Sequence, residues 1–403
     1  RRSSDLRYLL YPCLLMAASA SAQNAMTSSP YSMFGLGEMA SGLYGQNTSM
    51  AGVTVGMREG MLMNIENPAG LTALDSCKLF AEASAFVKNE RYRSDGSSSS
   101  AFTGNFSAFS LGGRIMRRWY MSVGVTPYSF VGYYFKSSQE LEGSPGTFVT
   151  STFSGTGGLS KAFLSQGFSL TKHLSVGMNL NFIFGNMTLN EIQSAMTVSR
   201  EMSGRSFYAD FGLQYHRPIA RETFLTVGAI YGYKQRISLK NTVTVTGSST
   251  ETPYNQKRVT QYLPQYIGIG SSLAHKKWTY ALDYLFRQYG VLNSSDSRVK
   301  FRDSHELRLG VCYFPNGFSS SSYWKRMSYK AGVSVSTPYL RLKGQSGGAY
   351  RVSVGLGLPV LNGRINTAFY YDRLQLQGNA LRRDIMGFTV TYTLSEKFYQ
   401  VKL

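Results

Sequence analysis

The sequence predicts an all-β protein: a 14-stranded antiparallel transmembrane β-barrel with an N-terminal plug, or hatch, inside the lumen. Three observations carry that expectation. Past residue 77, long runs alternate between apolar and small polar residues. The charged fraction is only 16%, against roughly 25% in soluble domains. Aromatic residues reach 14% and Gly numbers 41, yet there is no long apolar run. A lipid-facing exterior with aromatic girdles around a polar lumen has this profile. An array of soluble β-sandwiches would share part of the composition.

The elements follow in order. Arg1, Arg2 and Arg7 precede a short apolar run from Leu9 to Ala18, then Ala20-Ser21-Ala22. That is the layout of a secretory signal peptide, so residues 1–22 read as a leader and Gln23 as the mature start. The apolar run is too short to cross a bilayer, which takes about 20 residues. Residues 23–76 read as the plug. From Ser28 to Asp75 the chain is rich in Gly and Met, carries Asn67-Pro68-Ala69, and shows neither helical nor strand periodicity. Backbone without helix or sheet sits at membrane depth only inside protein or a wet lumen.

Residues 77–403 read as the barrel. In 174–185 the even positions are Leu174, Val176, Met178, Leu180, Phe182 and Phe184, with Ser, Gly and Asn dominating between them. In 386–395, Met386, Phe388, Val390, Tyr392 and Leu394 alternate with Gly387 and four hydroxyl residues. Successive side chains of a strand point to opposite faces, so one face is apolar and the other polar. Turn signals divide the region into fourteen strands near 77–92, 101–115, 119–136, 156–171, 174–187, 205–216, 222–246, 257–274, 277–292, 300–314, 327–343, 349–360, 363–376 and 384–395. An even number suits a closed antiparallel barrel. Links after odd strands read as long and polar (94–100, 137–155, 187–204, 247–256). Those after even strands read mostly as tight turns, the arrangement of external loops and periplasmic turns.

The formal net charge is +20, and about +18 without the leader, which holds three Arg and one Asp. The basic residues are scattered, many at expected turns, rather than concentrated on one face. This favours a membrane surface over nucleic acid as partner. Two cysteines follow the leader, Cys77 and Cys312, as a pair of thiols or a single bridge. Nothing resembles a zinc site or a catalytic constellation, so neither a cofactor nor an enzyme activity is expected. Asp210, Asp283, Glu306 and Asp372 fall on lumen positions, with Arg114, Lys161, Arg287 and Arg308 as counter-charges.

The third strand, near 119–136, carries Gly124 and Pro127. Proline cannot donate to a ladder and a closed barrel has no edge, so a kink or bulge is expected there.

Ser29-Pro30-Tyr31-Ser32-Met33-Phe34-Gly35-Leu36-Gly37, Asn67-Pro68-Ala69 just before the first strand, Gly124-Val-Thr-Pro127-Tyr128-Ser129 and Gly355-Leu-Gly-Leu-Pro359 resemble the FadL-like outer-membrane proteins, a family of transporters for long-chain fatty acids and other hydrophobic compounds, in its Bacteroidota-type branch. The likeness spans nearly the whole mature chain. It implies an integral outer-membrane protein whose hatch carries Asn67, Pro68 and Ala69. It also implies hydrophobic ligands that leave sideways into the membrane lipid, through an opening at Gly124 and Pro127. For the ligand, Met33, Phe34, Met57 and Met61 offer adaptable apolar contacts, and Arg58 a partner for a carboxylate. A second expectation is a non-transporting barrel that serves as an interaction subunit of a larger outer-membrane complex, of type IX secretion or of barrel assembly.

Overall fold

A computed structural model describes residues 29–40, 45–94, 97–140, 146–193, 196–247, 251–292, 299–315, 322–342, 344–377 and 381–397. The leader expected over residues 1–22 and the start of the plug lie outside the described residues.

Fourteen antiparallel strands close a barrel: β1 (Lys78–Ser94), β2 (Ser97–Met116), β3 (Trp119–Glu140), β4 (Phe148–Ser169), β5 (Leu174–Gln193), β6 (Met196–Ala220), β7 (Thr223–Gly232, resuming as Gln235–Thr246), β8 (Glu251–Leu263, resuming as Tyr266–His275), β9 (Trp278–Arg287), β10 (Ser304–Tyr313), β11 (Ser328–Ser336), β12 (Gly347–Val360), β13 (Gly363–Leu376) and β14 (Arg382–Lys397). Each pairs with its neighbours in sequence, and β14 closes on β1 from Arg382 opposite Arg93 to Lys397 opposite Lys78. The interruption in β8 falls at Pro264, which lacks the N–H the ladder requires.

The predicted alternation becomes an inside and an outside. Val352 and Val354 of β12, Phe369 of β13, and Met386, Phe388 and Val390 of β14 are exposed on the outer wall. Ser353, Thr389, Thr391 and Thr393 are buried within. In water such an exterior would be a large apolar patch; in a bilayer it faces acyl chains. Among the described residues no helix is long and apolar enough to cross a membrane.

The external loops depart from the expectation. Strands β2, β4 and β6 begin at Ser97, Phe148 and Met196, so most of each polar stretch expected as loop is strand. Beyond the hydrocarbon both faces of a hairpin meet water or polar protein, so apolar alternation lapses while the ladder continues. Conversely, the expected strands at 277–292 and 327–343 end early, at Arg287 and Ser336, and the one at 300–314 begins late, at Ser304. A short 3₁₀ turn (Tyr289–Val291) follows β9, and a small two-stranded ribbon, Val299–Phe301 against Leu340–Leu342, folds over the mouth. The link after β10 holds a four-residue helix, Tyr323–Arg326. Cys77 and Cys312 are free thiols.

Candidate functional site: the plug and the third strand

The plug lies inside the barrel in two parts, Ser29–Ala40 toward the external end and Gly45–Asp75 toward the periplasmic end. Asn67-Pro68-Ala69 starts a 3₁₀ helix, Pro68–Ala73. Proline suits the first position because no N–H is needed there. The Asn67 side chain caps the helix, its Oδ1 accepting from Ala69 N at 3.2 Å. Its Nδ2 donates to Val55 O at 2.7 Å and to Leu213 O of the wall at 3.2 Å. Asn67 and Ala69 are completely buried.

The close seat of this helix depends on wall glycines. A Cβ at Gly177 would stand 2.4 Å from Ala69 N, and one at Gly212 would stand 2.2 Å from Asn67 Oδ1. These glycines occupy the polar face of β5 and β6, where the sequence pattern alone shows only small residues.

Buried charge fixes the same part of the plug. Glu66 meets Arg308 at 3.2 Å and Arg287 at 3.4 Å, and both arginines hold Glu306, at 2.9 and 2.7 Å. Arg308 Nη1 also donates to Gly52 O at 2.6 Å. Asp283 accepts from the backbone N–H groups of Thr54 and Val55, at 2.6 and 2.8 Å. Asp210 accepts from Asn179 and Asn181, at 2.6 and 2.7 Å. Asp372 pairs with Arg351. The lumen carboxylates of the sequence are thus neutralised or hydrogen-bonded, Asp283 by the plug itself and the other three by wall residues.

Arg58 and Glu59 engage the barrel. Arg58 Nη1 donates to Thr72 Oγ1 at 2.9 Å and to Gln214 Oε1 of β6 at 3.3 Å. Burial pulls the Arg58 guanidinium down to about 10. Glu59 pairs with Arg364 of β13. Burial opposes its ionisation, but the charges of Arg364 and Lys330 prevail, and its carboxyl lies below the usual range.

The five side chains expected to meet a ligand are not brought together. Met33 packs at the external end against an apolar cap that includes Leu36, Val131, Leu159, Ile183 and Tyr208. Phe34, two residues before that cap's Leu36, is half-buried. Met57 packs with Met50, Val53, Leu62 and Ala281. Met61 packs with Met63, Leu71, Leu74, Phe80 and Tyr120. Arg58 belongs to the hydrogen-bonded network above.

Gly124 and Pro127 sit at an irregularity in the wall. The β2–β3 ladder runs only from Met116 opposite Trp119 to Phe109 opposite Val125. Beyond Val125 no ladder joins the two strands, although β3 continues to pair with β4 and β2 with β1. Each strand bulges at the break. Tyr128, next to Pro127, is skipped in the β3–β4 register, and Ser107 is skipped in that of β1 and β2. The last bond across is Thr126 Oγ1 to Ser107 O, at 3.2 Å. Gly124 lies where a Cβ would reach 2.2 Å from Phe109 O, so only glycine fits the end of the ladder.

The external part of the plug occupies the edge that β3 leaves free. Glu38 and Met39 pair with Phe130 and Ser129 as a two-residue strand. Ala40 N donates to Tyr128 O at 3.0 Å. Ser32 Oγ accepts from Gly132 N at 3.0 Å and donates to Gly132 O at 3.1 Å. Glu38 also reaches Arg383 of β14, on the far side of the break. Just inside Pro127 is a cavity of ≈ 110 Å³, lined in part by Met39, Ile65, Glu66, Lys161, Asp210 and Tyr266. Ligand pockets usually measure roughly 300–1,000 Å³ and are mostly apolar, whereas this one is small and carries charge. Sequence reasoning found the bulge through its proline. It missed Glu38–Arg383 and Glu59–Arg364, which join residues more than 300 positions apart, and the plug strand, whose partners lie about 90 positions on; none leaves a local signal.

A family model described as BamG matches residues 6–402. No curated protein matches the sequence. Among solved structures, the Ralstonia pickettii toluene transporter TbuX superposes with a TM-score of 0.61 at 14% identity, covering 88% of this chain and 98% of that one. The Pseudomonas putida toluene transporter TodX gives 0.61 at 16%, over 89% and 99%. A Pseudomonas aeruginosa FadL homologue gives 0.60 at 11%, over 90% and 100%. At such identities the likeness establishes the fold: that of the FadL-family barrels, integral to the outer membrane.

Proposed function

Because the chain belongs to the BamG family, we propose that it is a non-transporting FadL-like barrel that works as a subunit of the outer-membrane barrel-assembly machinery. The family match over nearly the whole chain carries this reading. The filled lumen supports it: the plug is bonded to the wall by ion pairs and buried amides, and the cavity at the broken ladder is too small and too charged for an acyl chain. In this role the barrel supplies a rigid membrane-embedded surface, and its plug keeps the pore shut while partners bind outside or beneath.

The test is isolation from native membranes. Protein tagged in place and released in mild detergent should come away in fixed stoichiometry with the central assembly barrel. Recovery as a lone barrel under conditions that keep that machinery intact would end this reading.

One observation favours a second reading, the passage of hydrophobic small molecules. The wall is interrupted beside Pro127, where the resembled family releases its ligands sideways. Uptake of toluene or a fatty acid into liposomes carrying the pure barrel, above the rate of empty liposomes, would support passage. Uptake equal to empty liposomes would leave assembly as the only role.

A further inference from the structure

We propose that the outward face of β1, β13 and β14, at the external rim, binds a phosphorylated glycolipid of the outer leaflet. Arginines take its phosphates, and the apolar wall below takes its acyl chains.

The basic excess of the sequence is the starting point, since the plug and lumen pairs do not absorb it. Four arginines converge on this face: Arg91 and Arg93 of β1, Arg373 of β13 and Arg382 of β14. They share a strand face with the lipid-exposed Val87, Phe369, Met386 and Phe388. Register places Arg91 opposite Asp384, and Asp384 opposite Arg373. One step of two residues below come Asn89, Met386 and Tyr371, where the apolar band begins. The cluster therefore stands about 6.6 Å along the strand above the hydrocarbon edge, at headgroup level.

Among the described residues its charge is not balanced. Asp384 is the only carboxylate among the described residues of this outward rim. It is already taken by Arg382 at 2.8 Å, Arg373 at 3.7 Å and the Tyr371 hydroxyl at 2.7 Å. Among the described residues neither Arg91 nor Arg93 has an ion-pair partner. Arg93 lies directly opposite Arg382 across the β1–β14 ladder. Like charges in that position destabilise a sheet, and an anion between them reverses the sign. Guanidinium groups suit phosphate because their forked N–H groups bond it bidentately. Basic clusters bordering an apolar membrane surface are the general recognition mode for anionic headgroups.

The experiment uses the full barrel, stripped of lipid in a neutral detergent, with diphosphoryl lipid A as probe and bound copies counted by native mass spectrometry. The variant Arg91→Gln, Arg93→Gln, Arg373→Gln, Arg382→Gln should bind about tenfold or more weakly, as expected for the loss of several charge-assisted contacts. Lipid A without phosphates should bind wild type as weakly. Millimolar inorganic phosphate should leave the lipid in place; displacement would mean a free-anion site and overturn the proposal. So would an equal loss from Arg205→Gln, Lys234→Gln, Arg236→Gln, Lys240→Gln on the opposite rim, which would reduce the effect to net charge. Folding is controlled by Arg93→Gln alone. It should hold or raise thermal stability in lipid-free detergent, by relieving the repulsion, while weakening lipid A binding. A variant that binds lipid normally but drops out of a native complex would assign the face to a protein partner, against the proposal.

Discussion

From Gly45 to Asp75 the plug meets the wall through buried ion pairs, amide hydrogen bonds and a helix seated on bare glycine backbone. From Ser29 to Ala40 it meets the wall as an edge strand, through a few backbone bonds, apolar packing and the Glu38–Arg383 ion pair. The first kind of contact is close to all-or-none, since removing one partner leaves a charge or amide buried without compensation. Apart from Glu38–Arg383, the second kind is separable, because an edge strand that leaves β3 exposes groups that water or another strand can satisfy. One chain segment therefore carries a fixed cork and a potentially detachable cover, and the cover lies at the place where the wall is interrupted. The two halves are therefore unequal in energy, and each can be tested.

The largest effect is expected from Arg308→Met. Arg308 is 1% exposed and joins Glu306, Glu66 and the Gly52 carbonyl. Its loss leaves two carboxylates to Arg287 alone, and breaking such a pair costs about 3–5 kcal/mol. Thermal unfolding in detergent should show a clear fall, with trypsin reaching the plug first. An unchanged melting temperature would mean that the periplasmic half is held no better than the external one, and the distinction would fail.

Asn67→Ala should cost less, about 1–2 kcal/mol, from the lost cap and the lost bonds to the carbonyl groups of Val55, which keeps Gln214 as a donor, and Leu213. It should raise plug proteolysis without loosening the barrel strands, read by hydrogen exchange. If barrel amides exchange faster as well, the plug is part of the barrel's own core rather than a separable insert.

What the sequence revealed follows the same division. The strands within the hydrocarbon were legible because lipid lies on one side and a polar lumen on the other, and that asymmetry writes itself as a period of two. The external ends of β4 and β6 were not, because a hairpin wet on both faces keeps its ladder without any apolar rhythm. The break at Pro127 was legible because proline removes a donor wherever it stands. The plug was legible as an irregular segment needing enclosure, but its contacts were not. Met33, Met57 and Met61 share a composition that suggests one adaptable pocket, and the fold distributes them among three separate apolar clusters. Gly177 and Gly212 look like ordinary lumen residues, and only their distances to Asn67-Pro68-Ala69 show why a side chain there is excluded. The arginines of the external rim were counted in the net charge, but their convergence depends on β14 pairing with β1, two strands nearly 300 residues apart.

The smallest expected effect tests the external half. Pro127→Ala restores an N–H where the β2–β3 ladder has already ended, with bulges at Ser107 and Tyr128 holding the strands apart. The plug strand at Glu38 and Met39 already occupies the free edge of β3. The substitution should therefore change stability by less than about 1 kcal/mol, as replacements outside the core and its networks usually do. Hydrogen exchange at Phe106–Ser107 should stay as fast as in wild type. If those amides become protected, the proline itself holds the wall open, and the bulges and the plug strand merely follow it. Uptake then separates the two readings. A passage would narrow as the ladder extends, and toluene entry into liposomes would fall. A barrel that serves only as a docking surface would lose nothing, because its partners see the wall from outside and the plug seals it from within.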